Sequence, residues 1–278
     1  MKNIKALVFT GYGLNCDYET DFSLKKAGAH SDRVHFNDLI LEKNKGSKRG
    51  FENYHMLVFG GGFSWADDHD AGVVMAARLR YNIGEKIEEF VRQGKLVIGI
   101  CNGFQALVNL GLLPGFDGDY KSREVALVHN DSGNFIDTWV KLQAVNDSLC
   151  IFTKGISNID LPVRHGEGKF YAPQGTIDRL IRENQVVLRY ADNDGKPAEN
   201  KWPFNPNGSL YDIAGICDST GRVLGIMPHP EAYNHYTNHP EWFLKREKMS
   251  RMNKNIEKEE GEGISIFRNA VRYIKENF

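Results

Sequence analysis

The sequence predicts an α/β fold in which a mostly parallel central sheet is flanked by helices, with added antiparallel strands. Short apolar runs alternate with helical patterns over the first 110 residues. Strands that are apolar throughout are typical of parallel sheets covered by helices on both faces. In the second half of the chain, several runs alternate between apolar and polar residues and are joined by turn sequences such as DNDG and DSTG, which favours antiparallel pairing.

The first half of the chain supplies three apolar strands and two helices. We expect a helix over 17–28, with Asp17 as its N-cap and Gly28 at its C-terminal end, because these residue types are preferred at those positions. A longer helical pattern covers 71–94 and ends at Gly94. The strand-like runs are 4–10 (IKALVFT), 56–60 (MLVFG) and 96–100 (LVIGI).

The second half adds strands and ends in a helix. Residues 240–263 are dense in charge, so we expect a solvated helix or excursion there and assign it no chemistry. Residues 264–277 have helical spacing and are expected to cover the sheet. No internal repeat or low-complexity linker divides the chain, which favours one domain over 1–278. The strand-like segments of this half are 124–128, 135–145, 185–191 and 209–227.

Composition narrows the classes of protein that the chain can belong to. A net charge of −1 gives no electrostatic case for binding nucleic acid or an anionic membrane. No run approaches the roughly 20 apolar residues of a membrane span, and the N-terminus is typical of a first strand rather than a signal peptide. The four cysteines form no CxxC pair, so we expect no metal site and no disulfide framework, as in a cytoplasmic protein with reduced thiols.

One cysteine follows a strand in a pattern typical of nucleophiles. The strand 96–100 runs into Gly99-Ile100-Cys101-Asn102-Gly103, and a helical pattern begins directly afterwards. This is the G-x-nucleophile-x-G arrangement of a strand–turn–helix, with Cys in place of Ser. The helix N-terminus favours negative charge on the sulfur, and the Asn102 amide would point to an oxyanion beside it. A lone Cys is more often structural, but the flanking glycines favour a nucleophile here.

A thiol nucleophile needs a base and a group that orients the base. The segment VLGIMPHPE at 223–231 is a strand that ends in Pro228-His229-Pro230-Glu231. Residues i and i+2 of extended chain project to the same side, so Glu231 can hold the imidazole of His229. Alone this motif is a polar turn; together with the cysteine turn it predicts a base and its orienting acid.

A glycine-rich turn follows the strand at 56–60. The sequence FGGGFS at 59–64 is not followed by the Lys-Ser/Thr of a phosphate-binding loop. Glycines at strand ends bring backbone N–H groups close to a ligand. We therefore predict that Gly61 or Gly62 supplies a second donor for the oxyanion, beside Asn102.

These residues together resemble the class I (triad) glutamine amidotransferases, on the motifs GICNGFQ at 99–105 and MPHPE at 227–231. The resemblance spans nearly the whole chain. Within that superfamily the chain is most similar to the family of glutaminase subunits of phosphoribosylformylglycinamidine synthase. Five further segments support this narrower match: NCDYET at 15–20, GGFSWADD at 61–68, HNDSGNFIDTW at 129–139, RHGEGKF at 164–170 and NPNGS at 205–209.

The resemblance implies a flavodoxin-like fold and a glutaminase mechanism. Cys101 would attack the side-chain amide of glutamine and form a thioester, with His229 as base and then acid and Glu231 as its orienting group. Gln105 matches a family position near the substrate glutamine, and the segment containing His165 and Glu167 matches a stretch near the active site.

The resemblance also implies partners. Ammonia would pass to a separate synthetase subunit, with a small bridging subunit as a further partner. That synthetase, rather than this chain, would use ATP and Mg to convert formylglycinamide ribonucleotide to formylglycinamidine ribonucleotide in purine biosynthesis. This chain would need no cofactor of its own.

The sequence departs from the family pattern in two places and leaves three alternative functions open. In the first departure, Trp65-Ala66 stands where the family often has Tyr-Gly and is followed by the unusually polar DDHDAG. In the second, the segment 240–263 is long for the family. The rivals are another class I amidotransferase, a non-glutaminase α/β hydrolase with a Cys elbow, and a non-catalytic assembly subunit. We expect the acidic run 67–70 to be a solvated helix start and the thiols of Cys16, Cys150 and Cys217, which lack the elbow context, to be inert. Surface or packing roles are expected for His129, His235 and His239.

Overall fold

A computed structural model describes residues 4–41, 50–252 and 260–278. The strands are β1 (Lys5–Thr10), β2 (His30–His35), β3 (Met56–Phe59), β4 (Leu96–Ile100), β5 (Ala126–Val128), β6 (Ile136–Ala144), β7 (Asn158–His165), β8 (Lys169–Tyr171), β9 (Val186–Ala191), β10 (Ile213–Cys217) and β11 (Val223–Ile226). The helices are α1 (Asp17–Ala27), α2 (Phe36–Leu41), α3 (Val73–Arg92), α4 (Asn102–Leu110), α5 (Gln174–Arg182), α6 (Trp242–Arg251) and α7 (Ile264–Asn277).

The central sheet has nine strands in the order β2-β1-β3-β4-β11-β10-β9-β6-β7. The five strands from β2 to β11 are parallel, and each pair from β11 to β7 is antiparallel. Strands β3 and β4 are completely buried, as expected of parallel strands covered by helices on both faces. This mixed sheet confirms the predicted α/β class with added antiparallel strands.

The predicted segments agree with the structure in kind and differ at their ends. The run 209–227 contains two strands, β10 and β11, which pair antiparallel around the DSTG turn. Helix α7 packs against α1, as expected for a helix that covers the sheet. Helix α6 is solvated and has no buried residue, although part of the charged segment, residues 253–259, lies outside the described residues.

One helix start differs from the prediction. Cys16, not Asp17, is the N-cap of α1, and no side chain caps that end. Asp17 is instead the first helical residue, where its carboxylate accepts a hydrogen bond from Arg33 Nη1 at 3.1 Å. An acid in the first turn still interacts favourably with the helix dipole.

No helix in the described ranges is long and apolar enough to cross a membrane.

Candidate active site

The candidate site lies at the carboxyl ends of three neighbouring parallel strands. β4 lies between β3 and β11 in the sheet. The β4–β11 register pairs Ile100 with Ile226, so Cys101 and the segment leading to His229 leave the sheet side by side. The glycine loop 60–62 follows β3 at the same edge. In α/β sheets, ligands bind at the carboxyl ends of strands.

The turn at Cys101 is strained, and its glycines are required by close packing. Cys101 has φ 51° and ψ −107°, in the left-handed half of conformational space that disfavours side chains. A Cβ on Gly103 would collide with the carbonyl of Phe59, and one on Gly99 would lie 2.7 Å from the carbonyl carbon of Gly103. Close packing against neighbouring backbone thus holds Cys101, whose thiol is buried, in an unfavourable backbone conformation. Residues strained in this way cluster at functional sites.

His229 and Glu231 form a buried pair. The Nδ1 atom of His229 lies 2.6 Å from Oε1 of Glu231, and their side chains are 2% and 1% exposed. The predicted contact is therefore present, but its geometry differs from a plain extended chain. His229 is extended, whereas Pro230–Ala232 is a short 3-10 turn that folds the carboxylate back.

The second ring nitrogen of His229 is left for the thiol. Within the described chain, Nε2 is buried and has no hydrogen-bond partner of normal geometry. Burial alone would lower the pKa of His229, but Glu231 and then Cys101 outweigh it and raise the pKa well above its ordinary value. The imidazole can therefore hold a proton taken from the thiol.

The backbone amides of Asn102, Gly61 and Gly62 lie at the end of the sheet that carries Cys101, and their role toward an oxyanion stays a prediction. Asn102 is the first residue of α4, where an amide has no helical partner. Among the described residues no acceptor is recorded for the amides of Gly61, Gly62 or Asn102. The Asn102 side chain also ties the loop to the elbow, because its Oδ1 accepts from the Ser64 amide at 3.3 Å.

Gln105 and Glu167 meet beside the elbow. The Gln105 side chain is 3% exposed, and its Nε2 donates to the backbone carbonyl of Glu167. The carboxylate of Glu167 accepts a hydrogen bond from the Ala71 amide at 3.0 Å. Both residues therefore lie beside the elbow, and their contact with a substrate stays a prediction.

His165 is engaged in a buried network and does not face a substrate freely. Its Nδ1 lies 3.1 Å from Asn130 Oδ1, and its Nε2 lies 3.4 Å from Asn207 Nδ2. Burial, and next the neighbouring His229, lower its pKa to about 3, so the ring is neutral. We therefore revise its expected role from substrate contact to support of the loop.

The same network explains two motifs whose individual roles the sequence left open. Asn130 Oδ1 accepts from the Gly168 amide at 3.1 Å, and Asn207 Nδ2 donates to the Gly168 carbonyl at 2.8 Å. Ser209 Oγ accepts from the Phe170 amide at 2.9 Å. The HGEG and NPNGS segments thus fix each other, and they hold Glu167 beside Gln105.

Sequence reasoning missed two residues of the site. Cys16, expected to be inert, has its sulfur 3.9 Å from His229 Nδ1. Burial is the largest effect on the Cys16 thiol and raises its pKa; the hydrogen bond to His229 lowers the pKa, and the charge of Glu231 raises it. The pKa is raised on balance, so Cys16 lies beside His229 as a protonated thiol. Asp67, expected in a solvated helix start, is half-buried and accepts from Asn102 Nδ2 at 3.0 Å. The NCDYET and WADD segments were the available signals.

Two of the histidines with predicted surface or packing roles have different surroundings. His239 is buried, lies 3.2 Å from Asp160 through Nε2 and packs on Trp139, which confirms a packing role. His129 is exposed, and its Nε2 lies 3.8 Å from Glu167 Oε1.

Two groups of described side chains bring possible metal ligands within 4.8 Å of one another. One is Cys16, His229 and Glu231, in which His229 Nδ1 is already engaged by Glu231. The other is Asp70, His129 and Glu167, of which the first two are exposed.

A methyl group on the glycine loop should disable the site without unfolding the protein. A Cβ on Gly61 would lie 2.7 Å from Cε1 of His229 and 3.1 Å from Sγ of Cys16. We expect Gly61→Ala to displace the imidazole and to lower glutamine hydrolysis by about 10²-fold or more, as a displaced general base would. Gly84→Ala is the matched control, since its Cβ meets only atoms at 3.9 Å. Equal turnover by the two variants would contradict this packing.

Comparison with known proteins agrees with this geometry. The sequence profile of a family described as CobB/CobQ-like glutamine amidotransferase domain matches residues 3–274. A phosphoribosylformylglycinamidine synthase subunit PurQ from Methanococcus maripaludis strain C7 is 44% identical over 269 residues, covering 97% of each protein. The subunit of the same name from Dehalococcoides mccartyi is 41% identical and covers 99% of this chain and 100% of its own length.

A solved structure is similar over the same extent. A chain in the structure of PurLQS from Thermotoga maritima superposes with a TM-score of 0.70 at 28% identity, covering 98% of this chain and all of that one.

Proposed function

The chain belongs to the CobB/CobQ-like glutamine amidotransferase family, and on that premise we propose that it is the glutaminase subunit of phosphoribosylformylglycinamidine synthase. The observation that carries the proposal is the buried His229–Glu231 pair, with Nδ1 and Oε1 2.6 Å apart, beside a strained Cys101 at adjacent strand ends. Relatives with that subunit name match almost end to end, which also supports it.

The first half of the proposed reaction forms a thioester. His229 takes the thiol proton, and the sulfur of Cys101 attacks the side-chain carbonyl carbon of glutamine. The negative oxygen that develops is stabilised by amides from Asn102 and the Gly61–Gly62 loop. The carbon–nitrogen bond then breaks as the imidazolium gives its proton to the departing nitrogen, which leaves as ammonia.

The second half regenerates the enzyme. A water molecule gives a proton to His229 and adds to the thioester carbonyl, and the carbon–sulfur bond breaks. The proton returns to the sulfur and glutamate is released. Glu231 holds the ring in one orientation through the contact between Oε1 and Nδ1 of His229, which is the usual role of the third member of a triad.

The ammonia would be used by another protein. We propose that this chain assembles with an ATP- and Mg-using synthetase subunit and with a small bridging subunit, since the Thermotoga structure is of PurLQS. That synthetase would make formylglycinamidine ribonucleotide, and this chain would need no cofactor. A cytoplasmic location belongs to the same proposal and is supported by four free cysteines.

The rival classes are less well supported. An α/β hydrolase with a Cys elbow but no glutaminase activity gives no reason for HPE near the end of the chain. A non-catalytic subunit gives no reason for a buried acid beside a buried His, because burying charge is costly. Another class I amidotransferase would differ in the synthetase it binds.

The test of this proposal is assembly followed by kinetics. We expect affinity purification of the full chain from its own organism to recover a synthetase subunit. We expect the isolated chain to hydrolyse glutamine slowly, and the complex to hydrolyse it faster, because glycine backbone changes conformation at little cost and docking can shift the loop 60–62 toward its productive state. Recovery of a different amidotransferase synthetase would contradict the proposed substrate, and a complex without glutaminase activity would contradict the proposed chemistry.

A further inference from the structure

The side chain of Asn102 joins the cysteine elbow to the loop 60–67, which follows β3. Its Oδ1 atom accepts a hydrogen bond from the Ser64 amide at 3.3 Å, and its Nδ2 atom donates to Asp67 Oδ1 at 3.0 Å. The same Nδ2 atom donates to Gln105 Oε1 at 3.1 Å, which fixes the side chain to helix α4. Among the described residues, no further hydrogen bond is recorded between the elbow and this loop. The contacts of Asn102 with Ser64 and Asp67 are called the Asn102 bridge below.

The opposite side of the loop is held by the segment 12–16. The carbonyl of Gly61 accepts a hydrogen bond from the Cys16 amide at 3.3 Å. The C=O and N–H groups of a trans peptide unit point in opposite directions, so the amide of Gly62, in the same unit, points away from that segment. Within the described chain no acceptor is recorded for this amide. Gly62 therefore supplies the loop amide that is free to donate to an oxyanion.

The turn that follows Ser64 is strained, so the loop needs a restraint to keep its shape. Trp65, Ala66 and Asp67 have left-handed φ values of 53°, 56° and 53°. Such a conformation is unfavourable for a residue with a side chain and persists only where the surroundings hold it. The Asn102 bridge contacts the residue before this turn and the last residue in it. It therefore restrains both ends of the strained turn.

Both predicted oxyanion donors thus depend on one residue. The backbone amide of Asn102 is the donor on the elbow, and its side chain holds the loop that carries the Gly62 amide. A donor stabilises an oxyanion only within about 2.7–3.1 Å of the developing charge. Glycine backbone changes conformation at little cost, so the Gly62 amide needs an external restraint to stay at that distance. Asn102 is 1% exposed and Ser64 is 2% exposed, so water does not compete for the bridge.

We propose that the side chain of Asn102 is a positioning residue, which holds the Gly62 amide in register with the Asn102 amide for the transition state of glutamine hydrolysis. The inference rests on the proposed function. The side chain touches no reacting atom and acts only through the loop. An interaction that matters only in the transition state changes kcat and leaves KM unchanged.

The experiment measures steady-state glutamine hydrolysis by the assembled complex. Asn102→Ala removes the bridge and keeps the backbone amide of residue 102, so any loss belongs to the side chain. We expect kcat to fall by about 10²-fold, the usual effect of misplacing one donor, with KM for glutamine unchanged. A disturbed Gln105 would raise KM instead, because that residue is expected near the substrate.

The partner of Asn102 on the loop provides a second set of variants. Asp67→Ala removes one of the two bridge contacts, so we expect kcat to fall by about 10-fold. Asp67→Asn keeps an oxygen acceptor and should recover most of that loss. Asp68→Ala is the matched control, because Asp68 is 75% exposed and lies next in the chain. If both residues act through one bridge, the double variant Asn102→Ala/Asp67→Ala should lose about 10²-fold rather than the additive 10³-fold.

A further readout separates the loop from the thiol and needs no turnover. Iodoacetamide alkylates a reactive thiol directly and forms no oxyanion, so labelling of Cys101 should keep its wild-type rate in Asn102→Ala. A slowing of this labelling by the same factor as kcat would show that Asn102 supports the thiol rather than the loop. Thermal unfolding of each variant identifies a temperature at which the folded proteins are compared.

Four outcomes overturn the inference. They are a wild-type kcat in Asn102→Ala, equal slowing of labelling and turnover, additive losses in the double variant, and equal losses in Asp67→Ala and Asp67→Asn. The last comparison decides the question if Asn102→Ala does not fold. A wild-type complex that did not hydrolyse glutamine would instead contradict the proposed function.

Discussion

In a complex reconstituted with its synthetase, Cys101→Ala should abolish synthesis from glutamine and spare synthesis from added ammonium salts. Removing the nucleophile should lower glutamine hydrolysis by about 10⁴- to 10⁶-fold, as in other triad enzymes. Ammonia bypasses the thiol, so the synthetase reaction should continue. The measurement is product formation with each nitrogen source.

The thiol that reacts can be identified directly. Cys16 lies beside His229 as well, so it is the natural competitor. We expect 6-diazo-5-oxo-L-norleucine to label Cys101 alone, because only Cys101 lies on the elbow beside the oxyanion amides. Peptide mapping that placed the label on Cys16 would reassign the nucleophile. If the Cys101→Ala complex lost synthesis from glutamine and synthesis from ammonium salts equally, Cys101 would have a role in assembly of the complex.

His229→Ala is expected to have the second largest effect, a loss of about 10²- to 10⁴-fold in turnover. The ring carries the proton from the thiol to the leaving nitrogen, whereas Glu231 only orients the ring. Glu231→Ala should therefore cost less than His229→Ala. Steady-state glutamine hydrolysis by the two variants in the complex measures the order.

Stability must be measured beside activity for this pair. His229→Ala leaves the buried carboxylate of Glu231 without its partner, which should lower the free energy of unfolding by about 3–5 kcal/mol. Thermal unfolding identifies a temperature at which each variant is folded, and turnover is compared there. His30→Ala is a control, because that ring is 55% exposed and lies on the edge strand β2. If folded His229→Ala hydrolysed glutamine at nearly the wild-type rate, the segment HPE would be a turn without a catalytic role.

The sequence predicted those strands whose residues are apolar throughout or alternate clearly. β3 and β4 are buried along their whole length, so their letters alone indicate parallel strands. β2 and β7 were missed for opposite reasons. β2 (HSDRVH) is largely polar because it is an edge strand. β7 contains Pro162, which normally argues against a strand but is tolerated at a sheet edge.

The site was predictable to the extent that it is carried by short motifs. Cys101 lies within one elbow, and His229 with Glu231 lies within three residues, so local spacing suffices to propose them. Cys16 and Asp67 enter the site through loops that meet it from other parts of the chain. Spacing along the sequence gives no information about contacts between loops that are distant in the chain. His165 shows the converse, because its motif is local but its partners Asn130 and Asn207 are distant in sequence.

The place of β11 in the sheet has a consequence for the chain as it is synthesised. β11 is the last strand along the chain, yet it pairs with β4 and separates it from β10. A ribosome therefore delivers the thiol of Cys101 long before the base, and chains fold as their segments emerge. During that interval the elbow has no imidazole beside it. A polypeptide that is unfinished or terminated early would therefore have the nucleophile without its base. It could not hydrolyse glutamine before the subunit that passes on the ammonia is complete.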